Sequence, residues 1–153
     1  SGPDITTKVE MPVDSFIPES YVEDGLQRIA LYQKISRIES HHEVAQLQLE
    51  FQDRYGAIPD PCKMLLGSVE MRITGQKMGV ERVEVERHML VLTFSNFYKP
   101  KPEQLAQMME RCNRPIRLLY EEPIQAVIEL NGQNDVEKCL QSIEIMKTIG
   151  SDS

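Results

Sequence analysis

Two adjacent histidines, His41 and His42, are the residues of this sequence that most readily suggest a metal centre. Successive residues of an α-helix project about 100° apart, so neighbouring histidines cannot easily share one ion, and helical metal ligands usually stand at i and i+4. The nearby ligand types are only Glu39 and Glu43. We therefore predict two solvated residues in the first turn of a helix and no metal ligands. His88 is expected in an exposed hairpin turn.

Enzymatic chemistry has little support in the other polar residues. The sequence has no GxxxxGK[ST] loop and no GxGxxG after a predicted strand, so no nucleotide cofactor is expected. A nucleophilic Ser or Cys needs a base and an orienting acid, and the sequence does not indicate such a set. We therefore predict no catalytic residue and no cofactor of any kind.

The charge balance argues against a nucleic-acid binder. The chain has 153 residues, which fits one domain, and a net charge of −7. Affinity for nucleic acid comes largely from Lys and Arg near phosphates. The nearest approach to a basic cluster is Lys99 and Lys101, which prolines interrupt. Direct DNA binding is therefore not expected.

Cysteine usage and hydropathy bear on the compartment. Cys62, Cys112 and Cys139 form no CxxC pair, which favours buried thiols in a reducing environment over zinc or disulfides. No apolar run has membrane-spanning length and the start does not resemble a signal peptide. We expect a cytoplasmic protein without membrane contact. Ser1-Gly2 is typical of a tag remnant, which would make the chain a piece of a longer protein.

The first half of the chain is predicted to be an extended lead-in followed by helices. Residues 1–22 should form a strap, because Pro12 and Pro18 forbid a helix and Phe16 and Ile17 can anchor it. Residues 23–79 should hold three helices, the first over about 25–38. Their predicted boundary residues are Asp24, the Ser40 to Glu43 capping box, Gly56, Asp60 with Pro61, and Gly79. The inner stripes are predicted as Ile29, Tyr32, Ile35 and Ile38, then Val44, Leu47, Phe51 and Tyr55, then Leu65, Val69 and Ile73.

The second half, residues 80–150, is predicted as two strand-strand-helix units. The strands should start at Val80, Met89, Ile116 and Ile124, and the helices at Pro102 and after the Asn134 cap. Four strands with helices on one face give an α+β fold. The whole of residues 23–153 is predicted to be a single α+β domain behind the strap.

The segment from Glu50 to Pro61 is the most informative part of the chain. Glu50 and Arg54 stand at i and i+4, and a solvated surface pair is the simplest interpretation. On a helical wheel, Leu49 falls nearly opposite the inner stripe, close to Asp53 and beside Gln46 and Glu50. An outward Leu within a charged patch is a hint of a protein contact.

This segment carries a resemblance to a known family. Its pattern E-x-x-D-R-Y-G-x-x-P, residues 50–59, resembles the C-terminal domain of the bacterial transcription-repair coupling factor. Two upstream pieces agree in order, Phe16-Ile17-Pro18 and the helix from Arg28 to Ile35, although Gln33 replaces a residue that is usually basic in the family. The specific resemblance covers about residues 9–79.

The resemblance implies a regulatory rather than a catalytic role. In that family the parent is an ATP-driven DNA translocase that removes stalled RNA polymerase and recruits UvrA. The C-terminal domain is expected to dock on a UvrB-like N-terminal module of the same protein and to cover the surface that UvrA needs, until RNA polymerase is engaged at a lesion. The implied contact residues are Glu50, Asp53 and Arg54, joined by Leu49 and Gln46 from the wheel.

Two other functions stay open at this point. One is a nucleic-acid-binding accessory domain of a helicase-like protein, which the net charge disfavours and a salt titration of DNA binding would reveal. The other is a stand-alone hydrolase with an unrecognised carboxylate pair, which lacks a pocket signature in the sequence.

Overall fold

The computed structural model describes residues 5–150 of the chain. Ser1-Gly2, the predicted tag remnant, lies outside the described residues. The elements in chain order are β1 (Lys8–Glu10), α1 (Gly25–Ser36), α2 (His41–Tyr55), α3 (Asp60–Met78), β2 (Val80–Glu86), β3 (Met89–Phe94), α4 (Pro102–Arg111), β4 (Ile116–Leu119), β5 (Gln125–Glu129) and α5 (Asp135–Ile149). The predicted α+β fold, a strap and three helices followed by a ββα-ββα unit, is confirmed.

The predicted caps explain most of the helix boundaries. Asp24 accepts a hydrogen bond from the Leu26 N–H, and Ser40 accepts one from the Glu43 N–H. Gly79 ends α3 in the left-handed conformation that glycine adopts most easily. The predicted N-cap at Asp60 is wrong by one residue, because Pro59 is the N-cap and Asp60 already belongs to α3.

The sheet has five strands, not the four expected from the sequence. Its order is β1-β2-β3-β5-β4, with β1 parallel to β2 and the other pairs antiparallel. The additional strand is part of the strap, where Lys8 pairs with Arg82 and Glu10 with Glu84. The Thr7 hydroxyl donates to the Val80 carbonyl and fixes this strand in place. The sequence signal was weak because β1 is only three residues long.

Two apolar clusters form the interior. One lies between the sheet and helices α3, α4 and α5, and includes Leu90, Leu92 and Ile128. The other lies among α1, α2, α3 and the strap, and includes Ile17, Leu47 and Phe51. Helix α3 contributes to both, which explains why it is apolar over most of its circumference.

Three side chains predicted to face the interior are exposed, namely Phe16 of the strap and Ile29 and Tyr32 of α1. Phe16 is 41% exposed while Ile17 is buried, so only the second of the two anchors the strap through its side chain. In α1 the buried residues are Leu31 and Ile35, whereas Ile29 is exposed. The predicted stripe is correct for Ile35 and Ile38, which are buried, whereas the Tyr32 hydroxyl lies nearer the surface and accepts a hydrogen bond from the Ile17 N–H at 2.7 Å.

Candidate functional site

Helix α2 presents an exposed ridge made of Gln46, Leu49, Glu50, Asp53 and Arg54, which we call the α2 ridge. Its opposite face is fixed by Val44, Leu47 and Phe51, which are all buried as predicted. Residues spaced by three and four positions share one face of a helix, so the five ridge side chains point outward together. Leu49 is 67% exposed and Glu50 is half-buried, while the other three are exposed.

Glu50 is the centre of a charge network on this ridge. The Lys34 Nζ of α1 donates to Glu50 Oε2 at 3.0 Å, and Arg54 Nη1 donates to Glu50 Oε1 at 3.4 Å. The hydrogen bond from Lys34 lowers the pKa of the Glu50 carboxyl below its ordinary value, and Arg54 adds to the effect. Glu50 is therefore ionised at neutral pH and both of its oxygens are engaged within the chain.

Asp53 and the remaining N–H donors of Arg54 are available for contacts with another protein. The Arg54 guanidinium lies 5.4 Å from the centroid of the Tyr55 ring, a distance typical of a cation–π contact. Asp53 is exposed and makes no salt bridge with any residue of the 5–150 range. A guanidinium and a carboxylate at adjacent positions can bind a partner surface that bears the opposite charges.

A groove lies on each side of the ridge. The groove between α1 and α2 has a volume of about 340 Å³ and is lined in part by Lys34, Gln46 and Glu50. The groove between α2 and α5, with α3 as its floor, has a volume of about 600 Å³ and is lined in part by Leu49 and Lys147. The ridge is therefore raised above its surroundings, which makes it accessible to another protein surface.

His41 is not the solvated residue that the sequence predicted. Its ring lies 3.7 Å (Nδ1) from the buried carboxylate of Glu70, and its Nε2 lies 3.1 Å from the Thr74 hydroxyl. Lys147 of α5 reaches the same carboxylate oxygen at 3.3 Å. This cluster joins α2, α3 and α5. His42 and His88 are exposed, as predicted.

The cluster lowers the pKa of His41 below its ordinary value. Burial is the largest cause, and the charges of Lys77 and Lys147 act in the same direction, whereas Glu70 opposes them. His41 is therefore a neutral ring at neutral pH that helps to hold three helices together. The sequence signal that was missed is Glu70, a carboxylate inside the apolar pattern of α3.

A further cavity along α5 is lined by polar side chains, three of which already bond one another. This cavity, of about 770 Å³, is an open cleft whose lining includes Arg114, Asn131 and Gln141. Arg114 and Gln141 already hydrogen-bond Asn131. Within residues 5–150, no group of three or more His, Cys, Asp or Glu side chains is arranged to hold a metal ion, and no helix is long and apolar enough to cross a membrane.

Lys34 is the ridge-associated residue that sequence reasoning missed. It lies on α1, 16 positions before Glu50, and a helical wheel of α2 alone does not include it. Its position inside the family-like helix from Arg28 to Ile35 was the available signal. The structure leaves the predicted contact set of Gln46, Leu49, Glu50, Asp53 and Arg54 as a prediction, since no partner chain is present.

Comparison with known proteins gives consistent relatives. The transcription-repair-coupling factor of Escherichia coli is 27% identical over 112 residues, which cover 73% of this chain and 10% of the relative. That of Haemophilus influenzae is 24% identical over 143 residues, covering 94% of this chain and 12% of the relative. The chain thus spans about a tenth of the length of these relatives.

The solved structures and the family models point the same way. A crystal structure of the C-terminal domain of transcription-repair coupling factor matches with a TM-score of 0.77 and 21% identity, covering 95% of this chain and 94% of the other. The model of the TRCF domain family matches residues 11–105, which is more than half of the chain. The chain therefore belongs to the TRCF domain family, the C-terminal domain of transcription-repair coupling factors.

Proposed function

We propose that this domain is an autoinhibitory clamp of a cytoplasmic transcription-repair coupling factor. In this proposal the α2 ridge docks on the UvrB-like N-terminal module of the same parent protein and covers the surface that UvrA needs. Engagement of RNA polymerase at a DNA lesion releases the clamp and exposes that surface. The parent supplies the ATP-driven translocation, and this domain has no catalytic step of its own.

The observation that supports the proposal most is the outward presentation of the ridge on a rigid helix. Leu49 is exposed at 67% next to Asp53 and Arg54, while the buried face of α2 is held by Phe51 and its neighbours. The helix is therefore fixed by residues other than those that would dock. An exposed Leu among charged groups is typical of a small protein interface.

The chemistry of the ridge suits a clamp that must open. Arg54 can form a two-pronged bond with a carboxylate, and Asp53 can accept from a cation. An interface rich in such polar contacts is separated more easily than an apolar one, because the groups are well solvated when free. A docked state of moderate stability is what a reversible switch requires.

The competing proposal, a nucleic-acid-binding accessory domain, has less support. The chain carries a net charge of −7, and Lys99, one of the two lysines of its nearest basic cluster, is paired with Glu122. If it were correct, affinity for DNA would fall steeply with salt, by a slope set by the number of phosphates neutralised.

The test is a charge reversal in the full-length parent protein. The variant Glu50→Arg, Asp53→Arg, Arg54→Glu should raise UvrA binding and ATP turnover in the absence of RNA polymerase. The matched control is Glu81→Arg, Glu86→Arg, Arg87→Glu, which changes three exposed charges of β2 and the β2–β3 turn by the same amount. Wild-type UvrA affinity and ATPase rate in the ridge variant would refute the proposal.

A further inference from the structure

We propose that Lys34 is a positioning residue of the docking site, which acts on Arg54 through Glu50 and so prepares the guanidinium to bind a carboxylate of the partner. The inference rests on the proposed function. It assigns Glu50 a different task from Asp53 and Arg54: Glu50 orients a contact residue instead of making the principal contact.

The division of tasks follows from the hydrogen bonds of Glu50. Lys34 occupies Oε2 at 3.0 Å and Arg54 occupies Oε1 at 3.4 Å, so the single charge of this carboxylate already faces two cations. Glu50 is also the least exposed charge of the network, with 30% of its side chain accessible against 57% for Lys34 and 48% for Arg54. A partner cation would therefore gain little from Glu50.

Arg54 has the opposite character. A guanidinium carries five N–H donors in a fixed plane, and the hydrogen bond to Glu50 engages one of its nitrogens. The Tyr55 ring, 5.4 Å from the guanidinium, is a second contact of the same group. A guanidinium held by two contacts loses less conformational freedom when a partner carboxylate approaches, which increases the affinity of a two-pronged contact.

Lys34 completes this arrangement because it fixes the carboxylate from another helix. The contact between Arg54 and Glu50 joins positions i and i+4 of one exposed helix, and such a pair alone is weak. Lys34 approaches from α1, so Glu50 is restricted by two helices. No cation of residues 5–150 forms an ion pair with Asp53, the neighbour of Arg54, so its carboxylate can accept from a partner cation.

A simpler role for Lys34 is to join α1 to α2, and the two roles predict different results. A structural role would appear in the melting temperature and would be independent of Arg54. A positioning role appears in docking, needs Arg54, and leaves folding almost unchanged, because an exposed ion pair contributes little to stability.

The experiment uses the full-length parent and measures UvrA affinity without RNA polymerase. Lys34→Met keeps the aliphatic stem and should raise UvrA affinity by about five- to tenfold, as expected when a contact between charged groups is loosened. Lys34→Arg retains a donor for Glu50 and should restore wild-type affinity. Lys8→Met, at an exposed lysine of β1 that pairs with Glu10, is the matched control and should have no effect.

The UvrA affinity of a double variant separates the positioning role from a structural role. In an Arg54→Met background, Lys34→Met should produce no further rise in UvrA affinity, because the group that it positions is absent. Equal and additive effects of Lys34→Met in both backgrounds would overturn the inference. So would a Lys34→Met variant with wild-type UvrA affinity, if the triple charge reversal raises that affinity. If the triple reversal is also silent, the proposed function fails together with it.

Discussion

Replacing Phe51 with Ala tests the packing that fixes the α2 ridge. Phe51 is completely buried, and its ring lies 6.2 Å from the rings of both Tyr21 and Tyr55 in edge-to-face geometry. Truncation of a buried Phe costs about 3–5 kcal/mol of unfolding free energy. Because Phe51 also loses two aromatic pairs, its cost is expected in the upper part of that range. For a chain of this size, about 2–4 °C per kcal/mol gives a fall in melting temperature of roughly 6–20 °C.

The assay is thermal and urea unfolding of the 153-residue chain, followed by circular dichroism. The matched control is Phe97→Ala, since Phe97 is 94% exposed and its loss removes the same atoms from the surface. The control should melt within about 2 °C of wild type, as surface substitutions usually change stability by less than about 0.5 kcal/mol. Equal melting temperatures for the two variants would refute the assignment of the inner and outer faces of α2.

Two further predictions concern the ends of the same helix. Gly56 has φ of 89° at the C-terminal end of α2, and no neighbour crowds the position. Because a β-branched residue is strained at this φ, Gly56→Val should lower the unfolding free energy by about 1–3 kcal/mol in urea titrations. Unchanged stability would contradict this prediction. His41 has a lowered pKa, so the unfolded chain takes up its proton first as pH falls; its contribution to stability is present above about pH 6.5 and is lost as pH falls through the lower folded pKa. His41→Gln should reduce the loss of stability between pH 7 and pH 5, measured with Glu70, Lys77 and Lys147 intact, and an unchanged pH profile would refute this assignment.

Local signals in the sequence were sufficient for most elements. Helix caps act over three or four residues, so both partners of the interaction are visible in the local sequence. Examples are the capping box at Ser40, the glycines after α2 and α3, and the Asn134 cap of α5. The outward orientation of the α2 ridge followed from the same helix periodicity.

Contacts between distant elements could not be predicted from local sequence patterns. The pairing of β1 with β2 joins residues more than 70 positions apart, and a three-residue strand has no periodicity of its own. The same is true of His41 with Glu70 and of Lys34 with Glu50, because the two partners of each pair lie on different helices and no local spacing relates them. The part of the site that depends on tertiary packing therefore required the structure.

The central claim, docking through the α2 ridge, is tested most directly by calorimetric titration of this chain against a separately produced UvrB-like module of its parent. Flexible connection within one protein gives effective concentrations in the millimolar range, so saturable binding with a Kd at or below about 1 mM is expected. The Glu50→Arg, Asp53→Arg, Arg54→Glu variant should lose about 2–5 kcal/mol, or roughly 30-fold or more in Kd, while the Glu81→Arg, Glu86→Arg, Arg87→Glu control should bind as wild type does. Absence of saturable binding by the wild-type chain, or equal Kd values for the ridge variant and wild type, would contradict the account.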